Sequence, residues 1–136
     1  MISAALIALD AMLRAERAFD LSLVEQIDEL LRALPDDQAS VELIEGLLKV
    51  DQILHQQALF KRAAPPGLKA LRWARQLGDR QLMAKSLTYR GCLTLDAHDL
   101  SAAFEAFIEA LQIGKEVGDA KRVAGCYLNL GVLMNR

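Results

Sequence analysis

An internal repeat of 40 residues constrains the fold of this 136-residue chain more than any other feature of its sequence. The repeat becomes visible when residues 70–93 are placed over residues 110–133. The matched positions are Ala70 with Ala110, Leu71 with Leu111, Gly78-Asp79 with Gly118-Asp119, Ala84 with Ala124, Gly91 with Gly131, and Leu93 with Leu133. A fixed period of this length is typical of stacked supersecondary units, each of which buries its apolar face against its neighbours. We therefore expect a repeat architecture in a single domain.

Apolar residues recur at spacings of three and four along most of the chain, and this pattern predicts helices. The stretch Leu43, Ile44, Leu47 and Leu48 is an example. Aromatic residues make up only 5% of the chain, which favours closely packed helices over a sandwich or barrel. The breaks between apolar stretches, among them Pro65-Pro66-Gly67, predict an all-α protein of about seven helices. We expect them at residues 2–18, 21–34, 39–62, 66–77, 80–96, 100–117 and 120–136.

Two Gly-Asp pairs, at residues 78–79 and 118–119, predict tight reversals between consecutive helices. Glycine readily adopts the left-handed backbone conformation that ends a helix. Aspartate accepts hydrogen bonds from the free amides that open the next one. Consecutive helices on either side of each pair should therefore be antiparallel.

Small and aromatic residues follow a recurrent spacing in the second half of the chain. Gly91, Ala103, Phe107 and Ala110 form the pattern G-x11-A-x3-F-x2-A, and Tyr127, Leu130 and Gly131 open the next unit. This pattern resembles the tetratricopeptide repeat (TPR) family, whose units open with W-x2-L-G. The resemblance implies a right-handed α-solenoid of antiparallel helix pairs, in which the small residues mark a close crossing and the aromatic ring fills the gap beside it. A period near 40 also fits HEAT or armadillo repeats, but the spacing argues against them.

The resemblance divides the chain into repeats and departs from the family at three points. Residues 1–37 form a divergent helix pair, residues 38–78 and 79–118 are repeats, and residues 119–136 are the first helix of a truncated repeat. The period exceeds the usual 34 residues, Asp51 replaces the expected Gly, and Arg90 replaces an apolar residue. Long-period arrays of this kind resemble the sensory regions that precede GGDEF diguanylate cyclase domains or lie in large bacterial transcription regulators.

No cluster in the sequence carries catalytic or metal-binding chemistry. His55 and His98 lie far apart, and neither Cys92 nor Cys126 has a second Cys or a His at metal-ligand spacing. No nucleophile motif or Gly-rich phosphate loop is present. We expect no cofactor, no metal and no enzyme activity in this segment. The two thiols fit a reduced, cytoplasmic protein, and no apolar stretch approaches the ~20 residues needed to cross a bilayer.

A basic helix face has two interpretations, a nucleic-acid patch or a solvated outer surface. It carries Lys69, Arg72 and Arg75, and Trp73 lies opposite them on the face expected to be core. We favour the solvated surface because no aromatic residues interleave with the basic ones. The net charge of −2 also creates no field that would attract nucleic acid.

In TPR arrays the first helix of each pair lines the concave surface, so the resemblance implies one groove shared by equivalent positions. The candidate groove residues are Lys49, Gln52, Lys85, Tyr89, Asn129 and Arg136. Asn129 stands where peptide-binding members of the family hold the ligand backbone with an Asn. The expected ligand is an extended or helical peptide. The alternative, a groove filled by the protein's own neighbouring helix or domain, stays open.

The resemblance implies a non-catalytic interaction or sensory scaffold, the N-terminal regulatory domain of a larger bacterial signalling protein. The alternative is a stand-alone adaptor that bridges proteins. The expected partner is a protein, a peptide or the chain's own downstream domain, not nucleic acid or membrane. A homodimer is a further expectation, through an apolar stripe on the last helix. An antiparallel contact is its alternative, because residues 1–60 carry a net charge of −7 and residues 61–136 one of +5.

Overall fold

The computed structural model describes residues 2–135 and has seven α-helices within this range. The helices are α1 (Ile2–Leu13), α2 (Leu21–Ala33), α3 (Val41–Gln56), α4 (Phe60–Leu77), α5 (Arg80–Asp96), α6 (Leu100–Val117) and α7 (Ala120–Met134). Each helix from α3 onward packs against the next, while α1 and α2 both pack against α3. In addition, α1, α3, α5 and α7 contact one another in that order. The predicted all-α stack of about seven helices is confirmed, and its odd-numbered helices form one layer.

Aspartate and serine side chains begin most of these helices, because each accepts a hydrogen bond from a free amide in the first turn. The capping residues are Asp20, Ser40, Asp79, Asp99 and Asp119. The two predicted Gly-Asp reversals are present: Gly78 and Gly118 have φ of 68° and 73°, the left-handed conformation that ends α4 and α6.

Two predicted boundaries are wrong. The first helix ends at Leu13 instead of residue 18. The break expected at Pro65-Pro66-Gly67 lies earlier, because α3 ends at Gln56 and both prolines lie inside α4. The chain reverses instead at Ala58, whose φ is 59°, and the equivalent residue 40 positions later, His98, has φ of 63°. The prolines lie in the second turn of α4, where they remove two helical hydrogen bonds, and the helix continues through them to Leu77.

The core confirms the close crossing predicted from the repeat pattern. Ala103 and Ala110 on α6 are fully buried, and Phe107 between them lies directly against Gly91 of α5. Trp73 is also fully buried, as expected, and its Nε1 donates a hydrogen bond to Asp36 Oδ1 at 2.8 Å. The small residues thus let α5 and α6 approach closely enough for an aromatic ring to fill the space between them.

The basic face of α4 is the solvated surface that the sequence favoured at Arg72 and Arg75, but not at Lys69. Lys69 is only 7% exposed, and its ammonium group donates to the backbone carbonyls of Arg32 and Leu34 at the end of α2. It therefore pairs with carbonyls that have no partner inside their own helix. Arg72 and Arg75 are more exposed, but each pairs with a carboxylate, Asp36 and Glu109 respectively.

Candidate peptide-binding groove

Three of the predicted groove residues meet where α3 packs against α5. The Lys85 Nζ donates to the Glu45 carboxylate at 2.6 Å. The Tyr89 hydroxyl donates to the Gln52 Oε1 at 3.2 Å. Both contacts join residues about one repeat apart in sequence, so equivalent helices stack in register here. This part of the groove is bridged by polar side chains that remain partly exposed.

A shallow pocket of about 200 Å³ lies beside these contacts. Its lining residues are Gln52, His55, Thr88, Tyr89 and Cys92. Burial raises the pKa of both Tyr89 and Cys92, so the hydroxyl and the thiol stay protonated at neutral pH. His55 contacts Asp96 at 2.6 Å across the same pair of helices. In this pocket Tyr89 and Cys92 therefore act as hydrogen-bonding groups, and Cys92 is not a reactive thiolate.

A second pocket, of about 280 Å³, lies between α5 and α7. It is lined by Thr88, Asp119, Lys121, Arg122, Gly125, Cys126 and Asn129. Thr88 lines both pockets, so the two are neighbours along the odd-numbered layer. Apart from the backbone of α7 and the adjacent residues, no atom of residues 2–135 lies within 4 Å of the position that a Cβ on Gly125 would take, so the pocket that also contains Asn129 is open there.

Arg122 is the functional candidate that the sequence interpretation missed. Its guanidinium donates to the Thr88 hydroxyl at 3.1 Å, and its Nε is buried without a hydrogen-bond partner. None of the ion pairs between residues 2 and 135 includes Arg122, and Asp119 in the same pocket accepts from a backbone amide instead. The signal was present in the sequence, because Arg122, Gly125 and Asn129 are spaced to share one helix face.

Lys49 lies at the other end of the odd-numbered layer, beside α1. Its Nζ is 3.8 Å from the Asp10 carboxylate, in an open depression that also contains Glu42 and Glu45. Glu45 connects this end to the middle of the groove through Lys85. Lys49 is thus on the same layer as Tyr89 and Asn129 but not in the same pocket. Arg136, the last predicted groove residue, lies outside the described residues.

The residues of the repeat signature take structural positions away from the groove. Ala103 and Phe107 pack with Leu133 and other apolar side chains in a small core cluster. Gly131, although equivalent to Gly91, has no neighbouring atom within 4 Å of its Cβ position. The signature therefore fixes the helix crossing, while the groove is built from other residues on the same helices.

Between residues 2 and 135 no group of three or more His, Cys, Asp or Glu side chains is arranged to hold a metal ion. No helix in that range is long and apolar enough to span a membrane. No protein-family model, curated protein or solved structure matches this chain.

Proposed function

We propose that this chain is a non-catalytic interaction scaffold of the TPR type, which binds a protein segment in the groove along α3, α5 and α7. The observation that carries the proposal is the register of polar side chains along that groove. Gln52 meets Tyr89, and Thr88 meets Arg122, so successive odd-numbered helices contribute to one continuous surface. Extended segments suit such a surface because they present a backbone and side chains at regular intervals.

The chemistry of the α5–α7 pocket favours an acidic residue in the bound segment. Among residues 2–135 the Arg122 guanidinium forms no ion pair, and its buried Nε has no hydrogen-bond partner. A carboxylate from a ligand would supply charge-assisted hydrogen bonds there, which are stronger than neutral ones. Asn129, on the same pocket, offers an amide that both donates to and accepts from a peptide backbone.

The depression at the other end of the layer favours a basic or neutral residue in the ligand. It contains the carboxylates of Asp10, Glu42 and Glu45, against the cations of Arg14 and Lys49. The groove is therefore more acidic beside α1 and more basic beside α7, a difference that would orient a bound segment.

In the larger context, we propose a cytoplasmic sensory domain at the N-terminal side of a bacterial signalling protein, such as a diguanylate cyclase or a transcription regulator. The support is the resemblance to long-period TPR arrays with Gly-Asp turns between repeats. In that arrangement the occupant of the groove is a segment of the same chain or of a partner, and its binding changes the output domain.

The binding proposal is tested by selecting random 12-residue peptides on the purified protein and measuring the affinity of those enriched. We expect enrichment of Asp or Glu at one position. Arg122→Gln should weaken binding of these peptides by roughly tenfold, as expected for losing a hydrogen-bonded charge pair.

Two matched glycines on α7 provide the control for pocket occupancy. Gly125→Leu fills the pocket, whereas Gly131→Leu adds the same side chain on a part of α7 that is equally open but outside the pocket. Peptide binding should be lost only in the Gly125 variant. Equal affinities in the two variants, or no acidic preference, would exclude this groove as the binding site.

A further inference from the structure

Asp51 is a buried acid in the middle of α3, and its surroundings do not provide hydrogen bonds for its carboxyl group. The residue is 1% exposed, and neither carboxyl oxygen has a hydrogen-bond partner in the part of the chain that the structure describes. In the 40-residue register Asp51 takes the position that Gly91 and Gly131 occupy in later repeats. An ionised carboxylate without partners is strongly disfavoured in such a site.

Space for this carboxyl group is provided by Gly67 on α4. A Cβ atom on Gly67 would overlap the Asp51 Oδ2, so no other residue fits there without displacement. Gly67 is equivalent in register to Phe107, which lies against Gly91. At the α3–α4 crossing the larger residue is therefore on the first helix, whereas at the α5–α6 crossing it is on the second.

The turn of α4 that covers Asp51 is weakened by its own sequence. Pro65 and Pro66 immediately precede Gly67 inside the helix. Neither proline has a backbone N–H, so the carbonyls of Lys61 and Arg62 receive no helical hydrogen bond from them. Local opening of α4 at this turn therefore breaks fewer backbone hydrogen bonds than opening elsewhere in the helix.

The charged and titratable groups around Asp51 come from α5. The charge of Arg90 acts on the carboxyl group, and burial, together with the charge of Asp51, raises the pKa of Tyr89 and Cys92. From α4 the facing residue is Gly67, which carries no charge. Burial raises the pKa of Asp51 to about 7 even though Arg90 opposes the shift.

Other ionisable residues of α3 and α4 point elsewhere. On α4 the Lys69 ammonium binds backbone carbonyls at the end of α2. On α3 His55 pairs with Asp96, and Lys49 lies near Asp10. Among residues 2–135 the Asp51 carboxyl group therefore has no hydrogen-bond acceptor for its proton.

We propose that Asp51, Gly67 and Arg90 form a proton-dependent latch: the protonated carboxyl packs under the Pro65-Pro66-Gly67 turn of α4, and the open form of that turn releases the proton to solvent. In the open form the carboxylate is hydrated or pairs with the Arg90 guanidinium. Protonation closes the contact between α3 and α4, and deprotonation loosens it.

The direction of the pH effect on opening follows because the closed form binds the proton more tightly than the open form. Between the pKa of an exposed Asp, about 4, and the value of about 7 in the closed form, the open form binds fewer protons, so opening becomes more favourable as pH rises. Above pH 7 both forms are ionised, and the effect levels off. From pH 5 to pH 8 the opening constant should increase roughly 80-fold.

Amide hydrogen exchange of the Gly67–Ala70 turn, corrected for the intrinsic pH dependence of exchange, measures this opening. We expect protection in the wild-type protein to fall by roughly that factor between pH 5 and pH 8. Asp51→Asn should abolish the change. Arg90→Gln removes the cation that favours ionisation of Asp51, so the pH above which the opening constant stops rising should be higher in this variant.

Asp28→Asn is the matched control, because Asp28 is the other largely buried acid but pairs with Arg32 within α2. This variant should keep the full response at α4. The carboxyl carbon of Asp51, followed by NMR in the wild-type protein, should titrate near pH 7. A titration below pH 5, or a response unchanged in Asp51→Asn, would overturn the proposal, and the wild-type titration decides it even if that variant does not fold.

Discussion

Gly91 and Gly131 occupy the same register position on α5 and α7, yet alanine should have opposite effects at the two sites. At Gly91 the added Cβ would lie 2.7 Å from Cδ1 and 2.8 Å from Cζ of Phe107. That ring is fully buried and contacts neighbouring apolar side chains, so it has no room to move away. At Gly131 the added methyl group meets no atom of residues 2–135 within 4 Å, apart from the adjacent residues and the backbone of α7 itself.

Two effects of known size compete at Gly91. Replacing a helical Gly by Ala favours the helix by about 1 kcal/mol. Inserting a methyl group into a packed contact costs about 1 to 3 kcal/mol. Because the ring is immobile, the packing cost at this site should lie at the upper end of its range and exceed the helical gain. Gly91→Ala should therefore lower the free energy of unfolding by about 1 to 2 kcal/mol. Gly131→Ala has only the helical gain, about 0.5 kcal/mol because the residue lies in the last turns of α7.

Urea unfolding followed by circular dichroism measures both changes on the same scale. The two variants should differ by about 2 kcal/mol, with the midpoint below wild type for Gly91→Ala and above it for Gly131→Ala. Equal shifts in one direction would show that helix propensity alone decides both sites. The assignment of Gly91 to a close helix crossing would then be wrong.

Two further predictions concern the α2–α4 contact and the exposed face of α7. Lys69→Met should lower the free energy of unfolding by about 1 to 3 kcal/mol in the same urea assay, because the carbonyls of Arg32 and Leu34 lose their buried donor. Leu128 and Met134 are 72% and 78% exposed, so sedimentation at rising protein concentration should reveal a dimer that persists in high salt and disappears when both are replaced by Ser. A dimer that dissociates in high salt would indicate a charged contact instead.

The sequence predicts the helices best where turn chemistry and the repeat agree. Gly78 and Gly118 each end a helix as expected, because their left-handed conformation is one that glycine favours. The reversal at Ala58 was missed because alanine carries no turn signal, while Pro65 and Pro66 gave a strong but misleading one. Carrying the 40-residue register back from His98 to Ala58 would have located it.

The groove was predictable only in part, for a similar reason. Register placed Gln52 and Tyr89 opposite each other because equivalent helices stack. Register also places Arg122 on the helix face of Gly125 and Asn129, but it does not show that the guanidinium forms no ion pair among residues 2–135, which is a property of the packed structure. Lys69 shows the same limit, since a lysine on a helix gives no sign that carbonyls from another helix will bury it.

The crossing of each helix pair shows why a motif position alone does not determine its environment. At α5 and α6 the small residue is Gly91 and the large one is Phe107, whereas at α3 and α4 the large residue is Asp51 and the small one is Gly67. The requirement is a close fit between two positions, so it is met by either assignment of large and small residues. The polar alternative differs in one respect, because its buried carboxyl group titrates and an aromatic ring does not. The exchange therefore preserves the packing of the solenoid while it introduces a dependence on pH at a single helix pair.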